Sequence, residues 1–351
     1  KTGDYMIVID GVIFSLQKSG GISVYFSELL RRIRTDKEDV LHLLYNNQNI
    51  YTKGSDYVVN RIARLHISVE RFIKVNISGT KNDIFHSSYY RLPNAKFNGK
   101  IITTVHDFTE EIYPRGLISK VHHKQKRQAI LGSDGIICIS NNTMKDMHKF
   151  IPESVNIPTR VIYNGVGDFS VRNIDAKFES YVIFVGARSG YKNFKMCVSA
   201  LRYFDDIELI VVGGGEFSKE EIKFLDSEIP GRYVHAGFLS EKELNRLYQN
   251  ALALIYPSLY EGFGIPVIEA MKSGCPVIAS KTSSVEEISN EAAILIDNIS
   301  AHQIRDCIHN LKNPSFRMEK IALGIENANG YSWDKMALET VDFYNYIRGL
   351  K

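Results

Sequence analysis

Short apolar runs alternate with segments of helical period along this chain, and the alternation predicts the fold. Residues 5–10, 40–45, 83–87, 100–106, 134–140 and 160–163 are brief runs of strand type. After the first of them, Ile22, Phe26, Leu29, Leu30 and Ile33 recur at helical spacing, and 142–150 read as another helix. Residues 46–80 are polar and irregular apart from an amphipathic stretch near 69–75. A turn and polar linker over 164–180 then separate two halves, and the pattern restarts. Strands are expected at 181–185, 207–212, 233–236, 251–256, 276–280 and 293–296. Helices are expected at 194–204, 240–249, 267–272, 304–311 and 316–329, with Ser240 and Glu243 forming a capping box. A last amphipathic helix, 333–347, offers Met336, Val341, Tyr344 and Ile347 as core contacts. Strand-then-helix units in two series predict an α/β protein of two doubly wound domains.

Composition narrows the class. The 351 residues suffice for two ordinary cores. Hydrophobic content of 44% and charged content of 24% describe a globular chain, and a net charge of +3 gives no case for nucleic acid as a partner. Cys138, Cys197, Cys275 and Cys307 are widely spaced and form no zinc pattern, so free thiols in a reducing, cytoplasmic compartment are expected. No apolar run approaches the length of a membrane span, and residues 1–5 lack signal-peptide design.

The chemistry concentrates in 256–280. There a strand is broken by Pro257 and Ser258, and Glu261-Gly262-Phe263-Gly264 leads through Pro266 into a short helix that Gly274 can cap. A helix start offers amide N–H groups and a positive dipole end, which suits a phosphate. Glu261 and Glu269 can flank such a site as hydroxyl acceptors. A plain strand-to-helix turn with a dipole-stabilising glutamate explains Glu269 but gives Glu261 and the glycines no joint reason. Gly20 and Gly21 precede the first helix, where either an anion or a simple turn fits. His106 stands at a strand's carboxyl end, where open α/β sheets bind ligands. Arg188 and Lys192 flank a helix start, where a cation opposes the dipole unless an anion binds. Gly213-Gly214-Gly215-Glu216 is not a dinucleotide fingerprint, because Phe217 and Ser218 stand where its last glycine belongs. Residues 115–127 carry Arg115, Lys120, Lys124, Lys126 and Arg127 with no acid. That run reads as a solvated face, with an anionic lipid surface or a diphosphate acceptor as the sharper alternative.

Glu261 and Glu269, with seven residues between them in Glu-Gly-Phe-Gly-Ile-Pro-Val-Ile-Glu-Ala, resemble the signature of the retaining GT-B glycosyltransferases of family 4. The resemblance spans almost the whole chain, taking in Gly20-Gly21, Val105-His106-Asp107, Ser140, the 163–166 hinge, Lys192-Asn193, Gly213 and Gly237. Within the family the chain looks like bacterial enzymes that build O-antigen or other surface polysaccharide. The resemblance implies two Rossmann-like domains facing a cleft: 1–165 for the acceptor, 166–330 for the nucleotide-sugar, and 331–351 as a helix crossing back to the N-terminal domain. It implies that Glu269 holds the ribose, that Glu261 lies beside the donor sugar, and that Gly262, Phe263, Gly264 and Ile265 present backbone to the sugar or β-phosphate. Arg188 and Lys192 would neutralise the departing diphosphate, Gly20, Gly21 and Gly213 would approach it, and His106 would touch the sugar. Gly237, Phe238 and Leu239 would line the base pocket. Many relatives place an arginine directly before the lysine; here Tyr191 occupies that position, and Arg188 is the substitute.

The expected donor is a GDP- or UDP-linked hexose, GDP-mannose among them, used without metal or other cofactor, since the chain has no Asp-x-Asp carrier. The expected acceptor is a glycan or lipid-diphosphate glycan, reached by peripheral contact with the inner face of the cytoplasmic membrane. A nucleotide-sugar 2-epimerase, a phosphorylase of the same fold and a non-catalytic nucleotide-sugar-binding subunit are the competing readings.

Overall fold

The computed structural model describes residues 5–33, 40–44, 49–52, 58–60, 65–171, 180–188 and 190–350. The first four residues, the expected strand end at Tyr45, linker positions 172–179 and Ser189 lie outside them. The chain divides into two compact units, Lys1–Asn164 with Trp333–Lys351, and Gly165–Ser332.

In unit 1 a parallel sheet is built from β1 (Ile7–Asp10), β2 (Val40–Leu44), β3 (Val58–Asn60), β4 (Ile84–Ser87), β5 (Lys100–Val105), β6 (Gly135–Cys138) and β7 (Thr159–Val161). Their spatial order is β3-β2-β1-β4-β5-β6-β7. β3 and a helical turn at Ile67–Glu70 fall in the stretch expected to be irregular. β1 and β4 are buried along their whole length, as parallel strands covered on both faces must be. The helix Gly21–Ile33 lays Tyr25, Phe26, Leu29 and Leu30 against the unit. The helix Trp333–Gly349 joins the same unit. Its Tyr344 hydroxyl lies 2.5 Å from His86 Nδ1 in β4, and Arg32 Nε donates to Asp334 Oδ1 at 2.5 Å.

Unit 2 repeats the plan with β8 (Tyr181–Val185), β9 (Glu208–Val212), β10 (Tyr233–Gly237), β11 (Ala253–Tyr256), β12 (Val277–Ser280) and β13 (Ile294–Ile296). The order β10-β9-β8-β11-β12-β13 again reverses beside the first strand of the unit. Its core gathers Phe184, Phe194, Leu201, Leu209, Ile255 and Ile304. Capping boxes at Ser218/Glu221 and Ser240/Glu243 start the helices Lys219–Glu228 and Glu241–Asn250. Only the second of these helices is visible in the apolar pattern.

The basic run differs from its expected reading. It lies almost wholly within the helix Leu117–Leu131, and acids on either side of it in the chain answer several of its charges. Lys126 is buried, with Nζ 2.9 Å from Glu111 Oε2 and donating to the Asp107 carbonyl at 2.8 Å. His123 Nδ1 lies 3.1 Å from Glu111 Oε1, and Arg127 pairs with Glu153. Arg115, Lys120 and Lys124 are exposed, with Arg115 Nε 4.0 Å from Glu110 Oε1.

Candidate functional site

The order of the unit 2 sheet reverses between β8 and β11, so the loops after these two strands open on either side of the point where doubly wound sheets take ligands. The loop after β8 carries Arg188 and Lys192; the loop after β11 carries Glu261. They meet: Lys192 Nζ donates to Glu261 Oε1 at 2.6 Å, and Leu259 N–H donates to the Tyr191 carbonyl at 2.7 Å. The cation that a helix start alone cannot explain therefore has a carboxylate partner in this structure. Nζ also lies 5.6 Å from the ring centre of buried Tyr256 at the end of β11.

The Glu261 loop is held from behind by the helix Ser283–Ser289, which the apolar pattern does not reveal. Glu261 N–H donates to Ser283 Oγ at 2.9 Å, and Ser284 Oγ donates to the carbonyls of Glu261 and Phe263 at 2.8 and 2.9 Å. Gly264 sits at φ 104°, where an added Cβ would be strained and would press on Ile288. The helix Ile265–Lys272 begins there, and Gly274 at φ 75° closes it. Phe263 is buried against Tyr331, so only its backbone is available to a ligand.

Glu269 projects from that helix with Tyr248 as neighbour, the tyrosine hydroxyl donating to Oε2 at 3.4 Å. Burial, and secondarily the Glu241 carboxylate, push its carboxyl up to about 8. A carboxyl so placed gains from ligand hydroxyls that donate to its ionised form.

Arg188, expected beside the diphosphate, is engaged within unit 2 in this structure. Its guanidinium donates to Glu221 at 2.7 Å and to the carbonyls of Gly213 and Glu216 at 3.0 and 2.8 Å. It also lies over the Phe217 ring. It braces the glycine loop, in which Gly213, Gly214 and Gly215 all have positive φ near 75°. Gly213 N–H donates to the Gly237 carbonyl at 2.9 Å, which ties that loop to the end of β10. Phe238 follows and is 67% exposed, while Leu239 is half-buried.

In unit 1, His106 follows β5 and is packed edge-on against Tyr25 of the helix that Gly21 begins. Its Nε2 is buried without a hydrogen-bond partner, and burial holds the imidazole neutral, with its pKa lowered to about 4. The Gly20 carbonyl accepts from Ser23 Oγ and Val24 N–H, so this glycine is part of the helix entry. The sequence signal missed Ser283, Ser284, Tyr248, Glu221 and Tyr256; only the Thr282-Ser283-Ser284 run hints at a helix start.

Two family models match consecutive stretches of the chain: Glycosyltransferase Family 4 over residues 19–168, and Glycosyl transferases group 1 over residues 171–322. O-antigen chain mannosyltransferase B of Escherichia coli is 22% identical over 76% of this chain and 75% of its own length. O-antigen chain mannosyltransferase RfbU of Salmonella typhimurium is 30% identical over 60% of each chain, so the match spans under two thirds of that relative. Among solved structures, a sucrose-phosphate synthase from Thermosynechococcus elongatus superposes with a TM-score of 0.78 at 17% identity, covering 98% of this chain and 99% of that one.

Proposed function

The chain belongs to the group 1, family 4 glycosyltransferases and has the GT-B fold, and from that premise we propose that it is a retaining, metal-independent hexosyltransferase of surface-polysaccharide synthesis. The donor is a nucleoside-diphosphate hexose, and GDP-mannose is the first choice, since both curated relatives above are named as mannosyltransferases. The acceptor is an O-antigen-type glycan, carried on a lipid diphosphate. Among the described residues no helix is long and apolar enough to cross a membrane; peripheral contact with the inner face of the cytoplasmic membrane is part of this proposal.

The observation that carries this reading is the Lys192–Glu261 pair across the strand-order reversal of unit 2, with Glu269 in the helix that follows. A nucleoside diphosphate brings the anion that Lys192 lacks when it is bound to Glu261. Lys192 then turns to the β-phosphate, and Glu261 is released to accept from the donor sugar's hydroxyls. Glu269 accepts from the ribose. The acceptor hydroxyl attacks the anomeric carbon on the face that the diphosphate leaves. The sugar–phosphate C–O bond breaks as the glycosidic bond forms, and the hydroxyl proton passes to a leaving β-phosphate oxygen. Charge grows on that phosphate in the transition state, where a fixed ammonium and helix-start amides stabilise it most. His106, neutral and with Nε2 unpartnered, is assigned to a sugar hydroxyl.

The test is a thermal-shift panel of UDP, GDP, ADP, dTDP and CDP, followed by transfer assays with the matching hexose donors. One nucleotide should raise the melting temperature selectively. No shift with any of them overturns the reading. Interconversion of a nucleotide-sugar without acceptor would assign the site to an epimerase.

A further inference from the structure

Unit 1 holds a bulky side chain in a conformation that its type does not favour. Tyr90, three residues past β4, has φ 58° and is 5% exposed. Left-handed backbone is an outlier for a residue of this bulk, and it persists where the surroundings impose it. Among the described residues the other non-glycine positions with positive φ are Asn193, Ser283, Asn290 and Asn298. Those are small polar types, and asparagine enters this region with little penalty.

Buried charge fixes the chain around that outlier. Arg91 N–H donates to Ser87 Oγ at 2.8 Å. The Arg91 guanidinium donates to the Ile73 carbonyl at 3.0 Å, to Asp10 Oδ1 at 3.3 Å and to Glu70 Oε1 at 3.2 Å. All three charged side chains are buried. Asp10 ends β1 and Ser87 ends β4, so the cluster spans the point where the strand order of this sheet reverses. Gln125 Nε2 holds the Tyr90 carbonyl at 3.3 Å. A buried ion cluster adds little stability over apolar packing of the same volume. What it supplies here is one fixed geometry for the segment 87–91.

That geometry delivers Tyr90 to His106. The tyrosine ring lies 5.7 Å from the His122 ring and 5.6 Å from Lys126 Nζ, and its hydroxyl meets the backbone N–H of His106. Lys126 Nζ donates to the Asp107 carbonyl at 2.8 Å, so the main chain is held on both sides of the His106 side chain. The imidazole packs edge-on against Tyr25 and Phe26, and its Nε2 is without a hydrogen-bond partner. Packing and main chain, not a bond at Nε2, therefore set where that nitrogen points.

We infer that Tyr90 is a positioning residue for His106: its phenol fixes the main chain from which the imidazole projects, and the Asp10–Arg91–Glu70 cluster holds Tyr90 in the left-handed conformation that this requires. The inference rests on the sugar contact assigned to His106 above and names what aims that contact.

Tyr90→Phe keeps the ring and removes the hydroxyl. In the full chain its kcat for transfer should fall about tenfold or more, since a misaimed contact is costly even from outside the reacting groups. The donor KM and the affinity for the nucleoside diphosphate should stay at the parent values. In a His106→Ala background the same substitution should cost nothing further. Arg91→Lys keeps the charge but loses the fork that reaches both carboxylates, and it should show the same split and the same silence beside His106→Ala. An undiminished loss of kcat in the His106→Ala background overturns the inference, because the residues then act on the fold and not through His106. So does a parallel loss of nucleotide affinity. If His106→Ala alone keeps parent turnover, the sugar contact fails, and nuclear magnetic resonance decides the positioning separately. The His106 imidazole resonances should then shift in Tyr90→Phe while those of His86 hold; unmoved His106 resonances overturn the inference.

Discussion

At the scale of single residues, Lys192 and Glu261 satisfy each other while the site is without a ligand, and this sets the sign of their substitutions. In Glu261→Gln the lysine is released toward the phosphate. Turnover should fall by ~10²-fold or more, the usual loss when a preorganised polar contact to the reacting group is removed. Affinity for the bare nucleoside diphosphate should hold or tighten. Lys192→Met removes the phosphate's cation and should weaken nucleotide binding by ~10-fold or more, as expected for a charged hydrogen bond. Calorimetric titration beside turnover separates the two; parallel loss of both quantities in Glu261→Gln would refute the sugar-side role. Glu269 adds a pH signature. Its folded carboxyl titrates near 8 against an ordinary 4.5, because burial disfavours the charge. The unfolded chain ionises this group above 4.5 while the folded chain keeps the proton, so its stabilising share is full below pH 4.5 and is lost as pH rises through 8. Glu269→Gln should therefore melt higher than the parent at pH 8.5 and level with it at pH 4.5. An equal offset at both pH values would show that ionisation is not the cause. Glu269→Gln should also weaken nucleotide binding, since a ribose acceptor is lost.

Among the elements, the helix Ser283–Ser289 acts on the site without facing it. Through Ser284 it fixes two carbonyls of the Glu261 loop. Ser284→Ala should lower stability by ~1–3 kcal/mol, the cost of leaving buried acceptors short of a donor. It should also reduce transfer more than nucleotide affinity; urea unfolding and the two assays on one preparation decide. This helix was illegible in the sequence for a physical reason. It is only seven residues long, too short for an apolar stripe to declare a period. The helix Lys219–Glu228 was missed on similar grounds, since Leu225 is its one fully buried side chain. Its Ser218/Glu221 box carries the same signature as the Ser240/Glu243 box that was read. The strands other than β3 were legible because each centres on a short, largely apolar run, and the Glu261–Glu269 loop because glycine, proline and carboxylate occur there together. Partners brought from other segments were not: nothing near Arg188 in the chain announces Glu221, 33 residues on, which accepts from its guanidinium. The basic stretch likewise looks unopposed until Glu111 and Glu153 are placed.

For the whole molecule, the two units repeat one topology but load their interiors with groups that titrate in opposite senses. Unit 1 buries neutral histidines: burial lowers His106 and His122 to about 4 and His86 to about 3. The unfolded chain protonates them near the ordinary 6.5. Their share of stability is present above that value and is lost as pH falls from 6.5 toward 4. Asp107, held below the usual carboxylate range chiefly by Lys126 against the opposing effect of burial, works in the same direction at lower pH. Asp10 opposes them, because burial raises its carboxyl to about 6 and it favours the folded state as it is protonated. Three imidazoles against one carboxyl leave a net loss for unit 1 on acidification through this range. Unit 2 carries the half-buried Glu269, whose raised pKa makes it gain over the same interval. Between pH 7.5 and 5, hydrogen exchange should therefore show the amides of β4 and β5 losing protection relative to those of β8 and β11, after correction for the intrinsic pH dependence of exchange. His86 makes the test specific, since its imidazole lies between Tyr344 and Thr104 and links the sheet to the helix Trp333–Gly349. Protonation there should release that helix first, and its amides should lead the loss. If both units change in parallel, the buried imidazoles do not set the acid limit, and a common cause such as net charge repulsion governs the whole chain instead.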